Sequence, residues 1–221
     1  MKPNESHKSW LTELAHRYNG ALTEEVRSYL GARALGPDAV AGGLLGLVSD
    51  PDPAHERYRG WLSIPYITPT GVVSMRFRCL EEHDCSVDFH GKYEGVAGDK
   101  THLYNVQALH DATDEIGIAE GELDALAATA AGLPTVGCPG ASSWKPYYYR
   151  LFDDFQRVYV LGDGDDAGRR WAAPLVPNIP GATSRVMPAG NDVTSYVVEF
   201  GAEAFLDSVR PRCNPDTKPV E

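Results

Sequence analysis

The chain has 221 residues, 43% of them apolar, with 31 acidic against 20 basic groups and a net charge of −11. That length holds one large domain or two small ones around a proper core, and the acidity argues against a general nucleic-acid coat protein but not against an enzyme whose carboxylates hold metal ions. Without an apolar run of the roughly 20 residues a membrane span needs, a signal-peptide core at its polar start or any CxxC pair among Cys79, Cys85, Cys138 and Cys213, it reads as a cytoplasmic protein with no membrane partner, no disulfide scaffold and no common zinc ribbon.

In chain order, Trp10, Leu11, Leu14, Ala15 and Tyr18 recur at helical spacing, and Thr23 before Glu24 and Glu25 predicts an N-cap opening a second helix. Pro37 after Gly36 marks a third start. The run Asp50-Pro51-Asp52-Pro53 breaks the chain. Residues 61–67 and 72–79 then read as strands of an antiparallel hairpin, joined by Thr68-Pro69-Thr70-Gly71. Residues 81–105 are polar and show no clear periodicity. Cys79, His83, Cys85 and His90 crowd the start of this stretch, but not at the spacing of a common finger. They are read as surface histidines and half-buried cysteines, and no zinc is expected.

From Glu115 the pattern alternates. Strands are predicted at 116–119, 134–138, 157–161 and 183–187, and helices at 122–131, 147–155, 167–176 and 193–209. Such alternation predicts a mostly parallel four-stranded sheet built from right-handed crossovers. The fold class is therefore α/β. An α+β part over 1–110 precedes an α/β part over 111–210, and 211–221, rich in proline, reads as a disordered tail. Trp144 with Tyr147, Tyr148 and Tyr149 is read as core packing ahead of base stacking. Gly137-Cys138-Pro139-Gly140 reads as a plain turn or as a loop suited to close approach of a phosphate.

The negative charge is concentrated: residues 111–166 hold eleven acidic groups and three basic ones. A charge run is usually a solvated face, yet several of these carboxylates directly follow strand-like runs. In an open parallel sheet, functional groups collect at the carboxyl ends of strands. Glu120 stands at the end of the first strand, Asp163 and Asp165 at the end of the third, and Asp192 between the fourth strand and the last helix. Asp124 lies one helical turn beyond Glu120, and Asp166 reads as a helix N-cap. If the first and third strands are neighbours, the carboxylates converge, and a hard divalent cation, Mg²⁺ or Mn²⁺, is their natural partner.

At these residues the chain resembles a known family. Ile118-Ala119-Glu120-Gly121-Glu122-Leu123-Asp124-Ala125 and Leu161-Gly162-Asp163-Gly164-Asp165-Asp166-Ala167-Gly168 look like the two signatures of the TOPRIM domain. That domain is shared by DnaG-like primases, type IA and type II topoisomerases and some nucleases. Pro188-Ala189-Gly190-Asn191-Asp192 is similar to its third acidic motif, with Thr194 where many members carry a further Asp. Upstream, Tyr29-Leu30-Gly31-Ala32-Arg33, the hairpin carrying Arg76 and Arg78, His90-Gly91-Lys92-Tyr93, and Lys100 with Leu103-Tyr104 resemble elements of the primase polymerase core, closest to phage and plasmid primases. The likeness spans about residues 20–205.

The resemblance implies a DNA primase catalytic core that makes short RNA primers on single-stranded DNA from ribonucleoside triphosphates. Asp163, Asp165 and Asp192 would hold the metals, with Asp124 beside them, and Glu120 would be a further ligand or the base. Arg33, Arg76, Arg78, Lys92 and Lys100 would contact phosphates and template. A partner, a replicative helicase or a separate template-reading protein, would choose start sites. The rival readings are a TOPRIM metal-dependent nuclease and a catalytically reduced replication accessory that binds metal and nucleotide.

Overall fold

The structure, a computed structural model, describes residues 4–99, 102–140 and 143–210. Lys100 and the tail expected over 211–221 lie outside the described residues. Helix α1 (Glu5–Gly20) is capped by Asn4, whose side chain accepts the His7 amide, and it buries Leu11, Leu14, Ala15 and Tyr18. α2 (Glu24–Gly31) begins where Thr23 accepts the Val26 amide. α3 (Pro37–Gly42) places Pro37 in its first turn, where a helix has no partner for an amide proton.

β1 (Gly46–Leu47), a 3-10 turn over Pro53–Tyr58, β2 (Leu62–Thr68), β3 (Gly71–Arg78) and β4 (Tyr93–Gly95) follow. The four strands form an antiparallel sheet in the order β1-β2-β3-β4. β2 and β3 are the predicted hairpin, with Thr68 opposite Gly71 across its turn. β4 lies in the stretch without periodicity, since three residues are too few to display a pattern. What creates it is pairing with β3, Arg78 against Tyr93 and Arg76 against Gly95.

After α4 (Ala108–Asp111) come β5 (Glu115–Ala119), α5 (Glu122–Ala130), β6 (Thr135–Gly137), a 3-10 segment (Pro146–Phe152), β7 (Arg157–Gly162), α6 (Asp166–Ala172), a short 3-10 turn (Val176–Asn178), β8 (Ala182–Val186) and α7 (Val193–Val209). Their strands form a wholly parallel sheet in the order β6-β5-β7-β8. The segment expected as a helix over 147–155 is 3-10, with Tyr148 and Phe152 buried. Trp144 packs its ring on Tyr148, Tyr149 and Phe152, so the aromatics serve the core as expected, while Tyr147 stays exposed. α6 stops short of the expected 176: Ala173 still has helical backbone, but Pro174 offers no amide to continue the hydrogen-bond ladder.

Strand alternation sorts the parallel sheet's side chains into two cores. Ile116, Ile118, Val158 and Val160 pack with Phe152 and Trp171 on one face. Ala119, Tyr159 and Leu161 on the other join Leu123, Leu30, Leu62 and Tyr66 in one cluster. That shared seam seats the antiparallel sheet against the acidic rim of the parallel one. Among the described residues no helix is long and apolar enough to cross a membrane.

Candidate active site

β5 and β7 are hydrogen-bonded neighbours, with Ala119 opposite Leu161. Glu120 and Asp163, just beyond, therefore emerge on one rim although 43 positions separate them in the sequence. β8 lies on the far side of β7, Gly162 against Val186, and delivers the segment that ends at Asp192. Two glycines permit the fit. A Cβ at Gly164 would stand 1.9 Å from the Pro188 carbonyl oxygen, and one at Gly168 would stand 2.4 Å from that of Asp163. The Gly164 amide donates to Asn191 O at 2.8 Å, tying the second acidic loop to the third.

Glu120, Asp124, Asp163 and Asp192 line one cleft of about 640 Å³. Burial pushes Asp163 up to about 6, reinforced by the charges of Glu120, Asp192 and Asp165. Asp124 is pushed up to about 7 by burial and then by Asp192 and Asp163. Glu120 is raised by burial and by Asp165. Asp192 goes the other way. Burial works against its charge, but the Ser195 amide at 2.7 Å, the Ser195 hydroxyl at 2.7 Å and the Thr194 hydroxyl at 2.8 Å, all donating to Oδ1, outweigh it and hold the carboxyl below its usual range. Thr194, standing where the family pattern has an Asp, thus anchors two carboxylates: its hydroxyl holds Asp192, and its amide donates to Asp124 Oδ1 at 3.1 Å.

Asp165, not Asp166, is the N-cap of α6: its Oδ1 accepts the Gly168 amide at 2.7 Å. Asp166 is the first helical residue and pairs with Arg169 on the surface. The cap needs extended backbone, which the chain has at 165 and has left by 166. Asp165 does not line the cleft, though its charge reaches Glu120 and Asp163.

The facing wall is cationic. Arg33, Arg76, Arg78 and Lys92 all border the same cleft, and tyrosines position the guanidinium groups. Arg33 lies 4.3 Å from the centre of the Tyr29 ring, and Arg78 lies 4.8 Å from that of Tyr93. Arg78 is buried, donates to the Tyr93 hydroxyl, and has an Nε without a hydrogen-bond partner. Arg76 is not a free cation. Its Nη1 meets Glu122 Oε1 at 2.6 Å, and the same oxygen accepts from the Tyr66 hydroxyl at 2.9 Å. The sequence reading overlooked Glu122, which is 2% exposed. An acidic residue in the first turn of a helix reads as an ordinary dipole partner, and only the fold reveals that it is buried.

No ion pair among the described residues engages Glu120, Asp124, Asp163 or Asp192. Clustered, half-buried carboxylates without such a partner, three of them with raised proton affinities, are the donor set a hard divalent cation takes, so the residues present fit Mg²⁺ or Mn²⁺.

A four-stranded parallel sheet carrying this acidic rim beside an antiparallel sheet is the fold of the DnaG-type primase catalytic core, TOPRIM subdomain included. A solved DnaG catalytic domain bound to single-stranded DNA superposes with a TM-score of 0.73 at 20% identity, over 91% of this chain and 79% of that one. The primase fragment of the bacteriophage T7 primase-helicase gives 0.59 at 18% identity, over 81% and 72%. In sequence, the chain is 39% identical over 157 residues to the Gene 57 protein of Mycobacterium phage D29, covering 69% of this chain and 99% of that protein. It belongs to the family of that phage protein. It is also 32% identical over 91 residues to the DNA primase of Aquifex aeolicus, spanning 39% of this chain and 18% of that enzyme. No protein-family model matches it.

Proposed function

We propose that this chain is the catalytic core of a DNA primase, synthesising short RNA primers on single-stranded DNA by nucleotidyl transfer in phage or plasmid replication, in the cytoplasm of the host. The observation that carries the reading is the cleft itself, with Glu120, Asp124, Asp163 and Asp192 on one wall and Arg33, Arg78 and Lys92 on the other. A polymerase needs both walls, because substrate and template bring phosphate charge to a site that is already acidic.

Asp163, Asp192 and Asp124, which line the cleft, would hold Mg²⁺ or Mn²⁺, and Asp165, whose Oδ1 caps α6, would add its other carboxylate oxygen. Bound there, such ions supply Lewis acidity towards the attacking hydroxyl and the triphosphate. Glu120 joins them as a ligand or accepts the proton of the primer's 3′-hydroxyl, a task its raised proton affinity suits. Arg33, Arg78 and Lys92 bind phosphates of the ribonucleoside triphosphate and of the template, and Lys100 extends that set. Arg76, tied to Glu122, presents what remains of its guanidinium to the same cleft. The division into a part over 1–110 that supplies cations and a part over 111–210 that supplies carboxylates matches these roles. The partners proposed are a single-stranded DNA template and a helicase or separate template-reading protein. The solved relatives bound to single-stranded DNA or belonging to a primase-helicase support both.

The test is incubation with single-stranded DNA, labelled ribonucleotides and Mn²⁺. Short labelled RNA is expected from the native chain and none from Asp163→Asn. Shortened DNA without RNA identifies a nuclease. Neither product, with nucleotide binding retained, identifies a non-catalytic accessory.

A further inference from the structure

The spacing of Cys79, His83, Cys85 and His90 matches no common finger, yet the fold gathers them. One ligand atom from each lies within 4.8 Å of all the others. Cys79 Sγ is 3.8 Å from His83 Nε2, and His83 Nε2 is 3.1 Å from His90 Nε2. Tetrahedral zinc with ordinary bond lengths separates its ligands by roughly 3.3 Å for two nitrogens and roughly 3.6 Å for nitrogen and sulfur, so the cluster is already near the required size.

The outer contacts decide what sits at its centre. His83 Nδ1 lies 3.2 Å from Glu81 Oε2, and His90 Nδ1 lies 3.1 Å from Gly91 O. A carboxylate and a carbonyl only accept, so both rings carry their proton on Nδ1. Their two Nε2 lone pairs then face each other at 3.1 Å, with Asp88 Oδ2 3.6 Å from that of His83, an arrangement that repels unless a cation stands among them. A carboxylate or carbonyl behind each ring is the usual support of a metal-bound histidine, and two thiols on the same point favour a soft-tolerant ion over a shared proton.

We propose that Cys79, His83, Cys85 and His90 bind a structural Zn²⁺ ion, a site separate from the acidic cleft. Four protein ligands close the coordination sphere, and two thiolates neutralise the ion, so its part is to hold the chain and not to do chemistry. The loop it would hold has local turns but keeps its large apolar side chains in solvent. Val87 is 66% exposed and Phe89, with a left-handed φ of 57°, is 96% exposed. The ligands also bracket the cationic wall: Cys79 directly follows Arg78, and His90 precedes Lys92 by two residues. A groove lined by Arg33, Arg78 and Lys92 runs from the cleft to this loop. The ion would therefore set where two of the proposed phosphate-binding cations stand.

The full chain, purified under reducing conditions, is expected to retain one zinc per molecule by plasma mass spectrometry. After exchange into Co²⁺ it should show a thiolate-to-cobalt charge-transfer band and the strong visible bands of a tetrahedral site. Cys85→Ser and His90→Gln should lose both, Glu81→Gln should weaken zinc binding by about tenfold, and Asp163→Asn should keep the full spectrum. A folded chain with freely titrating thiols that takes up neither metal overturns the site. So does zinc that survives Cys85→Ser but leaves with Asp163→Asn, which places the ion in the acidic cleft. Neither measurement depends on primer synthesis, so this site and the polymerase reading fail separately.

Discussion

Asp124 and Asp163 hold protons more tightly in the folded chain than in water, and this sets a direction for stability. Their pKa values rise from 3.8 to about 7 and about 6, so between those limits the native state binds more protons than the unfolded chain. Stability of the metal-free protein therefore falls as pH rises from about 4 to about 7. Asp192, held low, acts oppositely: its contribution is present above 3.8 and is lost as pH falls through its folded value. Thermal melting from pH 5 to 8 is expected to show a declining midpoint, and Mg²⁺ or Mn²⁺ at pH 8 to restore it. Asp124→Asn, whose amide oxygen can still accept from Thr194, should raise metal-free stability at pH 8 by on the order of 1–3 kcal/mol while weakening metal binding. His55, whose burial lowers its proton affinity, acts against this trend below pH 6.5, so a pH profile that Asp124→Asn leaves unchanged would reject the clustered-carboxylate account.

Within the elements, close approach and burial dominate. Gly164→Ala puts a methyl where the Pro188 carbonyl lies, which should cost at least about 1–3 kcal/mol and displace Asp192 from Asp163. Loss of primer synthesis with a lowered denaturant midpoint is the expected pair of readouts. The Arg76–Glu122 pair joins β3 to α5 across the seam between the sheets. Glu122→Ala strands a half-buried guanidinium and deprives Tyr66 of its acceptor, at an expected cost of about 3 kcal/mol. Arg76→Met combined with Glu122→Leu should recover part of that loss, because an apolar pair leaves no charge without its partner. Strictly additive losses in the cycle of Arg76→Met, Glu122→Leu and the two combined would show that the pair is uncoupled.

For the molecule as a whole, an overall charge of −11 means that the template of the proposed reaction would have to be met by a local cationic surface, and the wall around Arg33, Arg78 and Lys92 is the surface proposed for it. Binding to single-stranded DNA should weaken steeply with added salt. Lys92→Ala should weaken it with little regard to sequence and reduce the salt slope by about 1. Circular dichroism of this variant should match the native chain, since Lys92 contributes its backbone carbonyl, not its ammonium group, to the pairing with Cys79. An unchanged slope would remove Lys92 from the interface.

The sequence alone determined the elements whose cause is local. The cap at Thr23, the hairpin turn, the strands ending at Glu120 and Asp163, and α7 opening after Asp192 were all legible, because hydrophobic period and capping chemistry act over a few residues. The acidic motifs were legible for the same reason: each is a short run with its glycines in place. Tertiary structure alone decided which strands are neighbours, that Glu122 is buried against Arg76, and that two Cys and two His side chains meet. The strand order and the Arg76–Glu122 pair depend on contacts between residues far apart in the chain, and the Cys and His cluster on the path of an irregular loop; in both, desolvation and charge act through space and leave no periodic trace in the order of the amino acids.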